Sequence, residues 1–104
     1  MKIKSLWGKK VVKTESEFEF QVVYCILESI AEIDNVAAVV YGIQIEKMDF
    51  EKNHILVSES IYDITPCKLE IEKFANMLLA GEVEPENLLE IVIDYIDSCE
   101  YMAV

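Results

Sequence analysis

With 104 residues, of which 53% are hydrophobic, the chain is long enough to fold as one domain with a sizeable core. Its net charge of −11 and its lack of arginine argue against binding to nucleic acid, whose phosphates require cationic side chains. The longest apolar stretches, such as residues 36–41, are far shorter than the roughly 20 residues that span a bilayer. Residues 1–13 lack the apolar segment of a secretory signal, so we expect a cytoplasmic protein without a membrane partner.

The cysteines agree with a reducing compartment. Cys25, Cys67 and Cys99 are odd in number, widely spaced and without a C-x-x-C pair. They therefore match neither a disulfide framework nor a structural zinc site. We interpret them as reduced thiols that behave as small apolar residues.

Positive charge is concentrated at the start of the chain. Residues 1–13 contain five lysines and no acidic residue, whereas all 20 acidic residues follow. We interpret residues 1–14 as a basic N-terminal arm that includes Trp7, and residues 15–104 as a single α+β domain. Such an arm adheres to an acidic partner or an anionic membrane surface, folds back on the acidic domain, or remains a solvated terminus.

Three segments after the arm alternate between apolar and polar residues, as β-strands do. The first begins at Glu17 and places one set of apolar side chains on one face: Phe18, Phe20, Val22, Tyr24 and Ile26. The second spans residues 36–47 and contains Gly42, which predicts a bulge or a close backbone approach. The third spans residues 54–64.

Helical periodicity follows the strands. Thr65 and Pro66 predict a helix start, with a hydroxyl at the N-cap and proline at the first helical position, and Gly81 predicts its end. The apolar stripe of this helix comprises Cys67, Ile71, Phe74, Ala75 and Leu78. Pro85 predicts a second helix, whose apolar arc of about 200° is about twice what a surface helix needs.

The order of elements predicts an α+β fold: a three-stranded antiparallel meander followed by two C-terminal helices packed on one face. Apolar residues outside that interface are numerous: Val23, Leu27, Val40, Leu69 and part of the second helix. Because large apolar surfaces mark association sites, we predict a homodimer. Cover by the N-terminal segment around Trp7 is the alternative.

The second helix also carries a row of acidic side chains. Glu86, Glu90, Asp94 and Asp97 follow one another at helical spacing, with Tyr101 beside them. Carboxylates at this spacing repel one another by about 0.2–0.5 kcal/mol per pair. We therefore interpret these five residues as an interaction surface for a cationic partner. A plain solvated face is the alternative.

No motif for catalysis, cofactor binding or metal binding is present. His54, the only histidine, has no acid or nucleophile at a recognisable spacing, and the chain has neither a phosphate-binding glycine-rich loop nor an EF-hand pattern. We predict no cofactor and no metal, and favour a non-enzymatic interaction or regulatory module that self-associates. The alternative is a small enzyme or ligand-binding domain with a pocket between sheet and helices, lined by Tyr24, Tyr41, Tyr62 or the thiols.

Several short segments carry a resemblance. These are Tyr41-Gly42-Ile43, Asp63-Ile64-Thr65, Val83-Glu84-Pro85 and Ile91-Val92-Ile93-Asp94-Tyr95. Together they resemble a family of small uncharacterised proteins from clostridia and related bacteria, over about residues 18–97. That family is a domain of unknown function, so the resemblance implies no activity, substrate or partner. Ile93 departs from the family's pattern, in which an acidic residue is expected at this position.

Overall fold

The computed structural model describes residues 2–13, 19–49, 51 and 54–102, without the side chains of Lys13, Ile33 and residues 99–102. Residue 14 of the arm, together with Glu17 and Phe18 of the first predicted strand, lies outside this part of the chain. The fold is an α+β arrangement of one antiparallel sheet and two C-terminal helices, as the sequence predicted.

The described sheet has four strands, so the prediction of three was wrong. They are β1 (Lys2–Lys13), β2 (Glu19–Ile33), β3 (Val36–Asp49) and β4 (Ile55–Thr65), in the order β1-β2-β3-β4. The additional strand is formed by the lysine-rich residues that we interpreted as an arm. Lysines interrupt the apolar alternation of this segment, but they suit an edge strand, where they discourage pairing with another chain.

A tight turn joins β2 to β3. Asp34 and Asn35 both have positive φ angles, 51° and 65°, as a two-residue hairpin turn of the primed type requires. The polar residues that predicted a turn here therefore lie at the tip of a long hairpin, in which Phe20 pairs with Asp49 at one end and Ile33 with Val36 at the other.

Gly42 marks a close backbone approach, as predicted. The β3–β4 register shifts between Tyr41 and Ile43, and Asp63 on β4 has a φ of 57°. A Cβ atom at Gly42 would overlap the carbonyl oxygen of Ile61 and lie 2.8 Å from the Cα atom of Tyr62. Only glycine leaves room for the β4 backbone at this point.

The helices are α1 (Lys68–Ala80) and α2 (Leu88–Met102), and a 3-10 turn at Pro85–Asn87 leads into α2. The predicted N-cap at Thr65 was wrong, because Thr65 ends β4 and Cys67 occupies the N-cap position. The Thr65 hydroxyl still accepts a hydrogen bond from the backbone N–H of Cys67, at 3.1 Å. Gly81 follows α1, as predicted, and its N–H donates to the Met77 carbonyl. Neither helix is long and apolar enough to cross a membrane.

Both helices contact the sheet, and the main core is built from side chains of β2, β3 and the helices. Its fully buried members include Val22, Tyr24, Ile43, Ile45, Ile71, Leu78 and Leu88. The Tyr24 hydroxyl donates a hydrogen bond to the Val83 carbonyl, at 2.8 Å, and so ties β2 to the segment between the helices. Burial, assisted by the charges of Glu82 and Glu84, raises the pKa of Tyr24 to about 12.

A second set of buried apolar residues lies outside this core. Val23, Leu27 and Val40 are buried within the single chain, although we expected them to need a second copy for cover. Residues of the flanking strands reach across them. Lys4 on β1 forms an ion pair with Glu46 on β3, at 3.4 Å, and the Lys2 ammonium lies 4.7 Å from the ring centroid of Tyr62 on β4. Side chains of β1 and its neighbours thus meet over the sheet face that we expected a partner to cover.

Candidate interaction surface and pocket

The outward side of α2 carries both acidic and large apolar side chains. Leu89 and Ile93 are 58% and 49% exposed. The predicted acidic residues Glu86, Glu90, Asp94 and Asp97 are also exposed, whereas the side chain of Tyr101 lies outside the described residues. We call the six exposed residues the α2 outer face: Glu86, Leu89, Glu90, Ile93, Asp94 and Asp97.

Helical spacing mixes the two kinds of side chain on this face. Leu89 and Ile93 are four residues apart and therefore neighbours on the helix surface. Asp97 follows Ile93 at the same interval, and Glu90 lies three residues before Ile93. The apolar pair is therefore flanked by carboxylates, an arrangement that matches a partner with both apolar and cationic groups.

At one end of the face, Glu86 is already paired with a lysine. The Lys47 ammonium lies 3.2 Å from a Glu84 carboxylate oxygen and 3.3 Å from one of Glu86. Burial lowers the pKa of Lys47, but the hydrogen bonds to these carboxylates and their charges outweigh that effect and raise it. Among the described residues, no lysine lies within 4.0 Å of Glu90, Asp94 or Asp97. The uncompensated charge is thus carried by these three residues.

A cavity of about 330 Å³ opens on the helix-covered side of the sheet, and we call it the Trp7 pocket. Its polar lining comes from Glu28 on β2, Tyr41 on β3, and Lys68 and Glu72 on α1. Its apolar lining includes Ile26, Ile71 and the indole of Trp7. The pocket therefore combines carboxylates, an ammonium group, aromatic rings and a hydrocarbon wall.

An irregularity in β1 accounts for the position of Trp7. The β1–β2 register shifts between Leu6 and Gly8, and Trp7 packs against the main core. Its indole N–H donates to the Asn76 side-chain oxygen on α1, at 2.9 Å, which fixes the ring. At Gly8 the strand approaches α1 so closely that a Cβ atom would lie 2.8 Å from a Leu79 methyl carbon.

Tyr41 and Glu28 form a cross-strand pair in this pocket. Burial raises the pKa of the Tyr41 hydroxyl, and the charge of Glu28 and a hydrogen bond to it raise the pKa further. The phenol therefore stays protonated and the carboxylate accepts from it. This leaves the remaining acceptor capacity of Glu28 for a ligand.

The other tyrosines and thiols proposed as pocket residues are dispersed. Tyr24 is buried in the core, and Tyr62 lies on the β4 edge beside Lys2. Cys25 is buried, and this burial raises the pKa of its thiol, with smaller opposing effects from Lys4 and Glu46. Cys67 is exposed at the start of α1, and the side chain of Cys99 lies outside the described part. Among the members of that set whose side chains are described, Tyr41 alone lines the Trp7 pocket.

Sequence reasoning did not find Trp7, Glu28 or Glu72 as pocket residues. They come from three elements that are distant along the chain, so no local spacing brings them together. His54 is exposed just before β4 and does not line this pocket. Within the described residues, no group of three histidine, cysteine or acidic side chains is placed to hold a metal ion.

Both the α2 outer face and the Trp7 pocket lie within a segment that matches one protein family. A model described as "Family of unknown function (DUF6514)" matches residues 3–98. The chain belongs to this family. The DUF6514 match begins at the start of β1 and ends near the end of α2, so it includes Trp7 as well as Asp97. The match confirms that the chain is a member of an uncharacterised family. It also extends the similarity from about residues 18–97 to the lysine-rich strand β1. No curated protein and no solved structure matches the chain.

Proposed function

We propose that this DUF6514 protein is a non-enzymatic interaction or regulatory module of the cytoplasm, and that its α2 outer face binds a cationic partner. The observation that carries the proposal is the exposure of Leu89 and Ile93 beside the uncompensated Glu90, Asp94 and Asp97. The partner is a basic amphipathic segment, with apolar side chains for the first pair and lysine or arginine for the carboxylates. The clostridial origin suggested by the sequence stays a prediction.

Each half of the face has its own energetic role. Complete burial of a Leu or Ile side chain contributes about 1.5–3 kcal/mol, so burying the exposed half of Leu89 and Ile93 contributes about 1 kcal/mol each. Exposed ion pairs contribute about 0.2–1 kcal/mol each and are weakened by salt. The apolar pair therefore supplies affinity, and the acids select the sign of the partner and accelerate its association.

Titration with two synthetic helical peptides tests this proposal: one of leucine and lysine, the other with glutamate in place of lysine. We expect the lysine peptide to bind the wild type, and binding to weaken about tenfold when three ion pairs are lost in E90Q/D94N/D97N. The variant E32Q/E51Q/E59Q removes the same charge at exposed positions elsewhere and should bind as the wild type does. Equal weakening in both variants would reduce the effect to net charge and contradict a specific face.

We also propose that the protein self-associates through β4. In the described sheet β4 is an edge strand, and its residues Ile55, Leu56 and Val57 are 52%, 42% and 37% exposed. An apolar edge with free backbone hydrogen-bonding groups is a template for pairing with another strand. The opposite edge, β1, carries lysines and a register shift, both of which oppose such pairing.

Light scattering during size-exclusion chromatography tests the dimer. We expect twice the mass of the chain for the wild type at micromolar concentration and the mass of one chain for Val57→Lys, because a lysine at the edge opposes strand pairing. Val11→Lys makes the same change at the exposed surface of β1 and should leave the dimer intact. A monomeric wild type would refute self-association. A dimer in both variants would refute the β4 interface alone.

The alternative of a ligand-binding domain is supported by one specific observation, the Trp7 pocket. Its volume of about 330 Å³ falls at the lower end of the roughly 300–1,000 Å³ that small-molecule sites occupy. Binding there is compatible with a regulatory module, since the pocket and the α2 outer face use different residues.

A further inference from the structure

We propose that the Trp7 pocket binds a small organic ammonium ion with a short hydrocarbon part. The inference deepens the ligand-binding alternative, on which it rests, and is independent of the α2 outer face. It is carried by the juxtaposition of Glu28, Glu72, Tyr41 and Trp7 around one cavity.

The charge of the lining favours a cation. Glu28 and Glu72 are both half-buried, whereas Lys68 is exposed. Among the described residues, no lysine lies within 4.0 Å of either carboxylate. A carboxylate that is partly withdrawn from water attracts a cation more strongly than one on the open surface. The chain as a whole, at −11, adds a field of the same sign.

The aromatic lining favours an ammonium group of organic origin over a metal ion. Trp7 presents the ring with the strongest attraction for cations, and its hydrogen bond to Asn76 holds the ring without any ligand. A hydrated metal ion gains little from such a ring or from a hydrocarbon wall. An alkylammonium ion gains from both, because its methylene groups pack while its N–H groups donate to carboxylates.

The remaining lining sets the size of the hydrocarbon part. Ile26 and Ile71 are buried residues of the core whose side chains also reach the pocket, so the apolar wall is rigid. A cavity of about 330 Å³ holds a compound the size of an amino-acid side chain with its amino group. Carboxylate or phosphate ligands are opposed by Glu28 and Glu72, and Lys68 is the one cationic side chain among the described lining residues.

Trp7 is the only tryptophan of the chain, so its fluorescence reports on this pocket without labelling. The probes are n-butylammonium, 1-butanol and butyrate, titrated against the full chain, with calorimetry to confirm the binding heat. We expect butylammonium to change the Trp7 emission in a saturable manner. Butanol and butyrate should bind at least about tenfold more weakly, because they lack the charge-assisted hydrogen bonds.

Four variants locate the binding site. Glu28→Gln and Glu72→Gln should each weaken butylammonium binding about tenfold, since each removes one charged acceptor. Glu32→Gln removes the same charge at an exposed position outside the pocket and the α2 outer face, and should leave butylammonium affinity unchanged. Circular dichroism establishes that the variants are folded, and Glu28→Asp, which keeps the charge, should recover part of the affinity.

The outcomes distinguish the ammonium inference from the ligand-binding alternative on which it rests. Equal binding of butanol and butylammonium would overturn the ammonium inference and leave a ligand pocket in place. No saturable response to any of the three probes at millimolar concentration would overturn both. Undiminished affinity in both Glu28→Gln and Glu72→Gln would place the binding site elsewhere.

Discussion

Replacing each glycine by alanine tests how the fold positions β3, β4 and α1. The three glycines have different surroundings, so one substitution made three times gives an internally controlled series. At Gly42 the added methyl group meets the backbone of Ile61 and Tyr62. At Gly8 it meets the methyl carbons of the Leu79 side chain at 2.8 and 3.1 Å. At Gly81 the nearest atom is the Met77 carbonyl oxygen at 3.4 Å.

The expected change in stability at each glycine depends on which atoms the added methyl group must displace. Overpacking costs about 1–3 kcal/mol, and Gly42→Ala belongs at the upper end because backbone atoms cannot rotate away. Gly8→Ala costs about 1 kcal/mol, because the end of a leucine side chain can change rotamer. Gly81 has a φ of −84°, which alanine adopts freely, so Gly81→Ala should be neutral or stabilise by about 0.4–1 kcal/mol through the unfolded state.

Urea unfolding followed by circular dichroism measures the series. We expect the midpoints to rank Gly81→Ala, wild type, Gly8→Ala and Gly42→Ala, from high to low, with similar m-values. In thermal unfolding, a loss of about 3 kcal/mol lowers the Tm of a domain of this size by about 12–24 °C. A Gly42→Ala protein as stable as Gly81→Ala would refute the close approach of the β4 backbone to Gly42.

Two further predictions concern ionisable groups. Tyr24→Phe removes the hydrogen bond to Val83 and should cost about 1 kcal/mol at neutral pH in urea unfolding. Because the folded-state pKa of Tyr24 is raised to about 12, the wild type should also lose stability between about pH 10 and 12, and an equal loss in the Tyr24→Phe variant would contradict this assignment. Lys47→Met should cost less than about 1 kcal/mol per ion pair with Glu84 and Glu86, since these pairs are partly exposed. The pKa of Lys47 is raised in the folded protein, so the stabilisation by its ion pairs is present at neutral pH and is lost as the pH rises through that folded-state pKa. A stability difference between wild type and Lys47→Met that persists at still higher pH would exclude the ion pairs as the cause of that difference.

The strand and helix pattern after residue 18 was readable because periodicity and turn residues agree there. Alternation in β2 and β3, the turn at Asp34 and Asn35, and the breaks at Gly81 and Pro85 all appear where local physics places them. β1 was missed because its alternation is obscured by lysines. Thr65 was misplaced because a β-branched residue suits the last position of a strand as well as a cap.

Tertiary features were less accessible. The acidic residues of α2 lie on one exposed side because helical spacing alone decides this. By contrast, the burial of Leu27 and Val40 depends on strands that reach across them, and the Trp7 pocket depends on a register shift in β1. Both arise from contacts between distant parts of the chain, which a single sequence does not encode in any local pattern.

The two edge strands of the described sheet differ, and this difference affects the size of any assembly formed through them. A protomer that pairs equally well through both edge strands adds copies at both ends and extends into a fibre. Here the β4 edge exposes Ile55, Leu56 and Val57, whereas the β1 edge carries lysines. If two protomers pair through β4, as we propose, only the lysine-rich β1 edges remain outward, and we expect the assembly to stop at two copies.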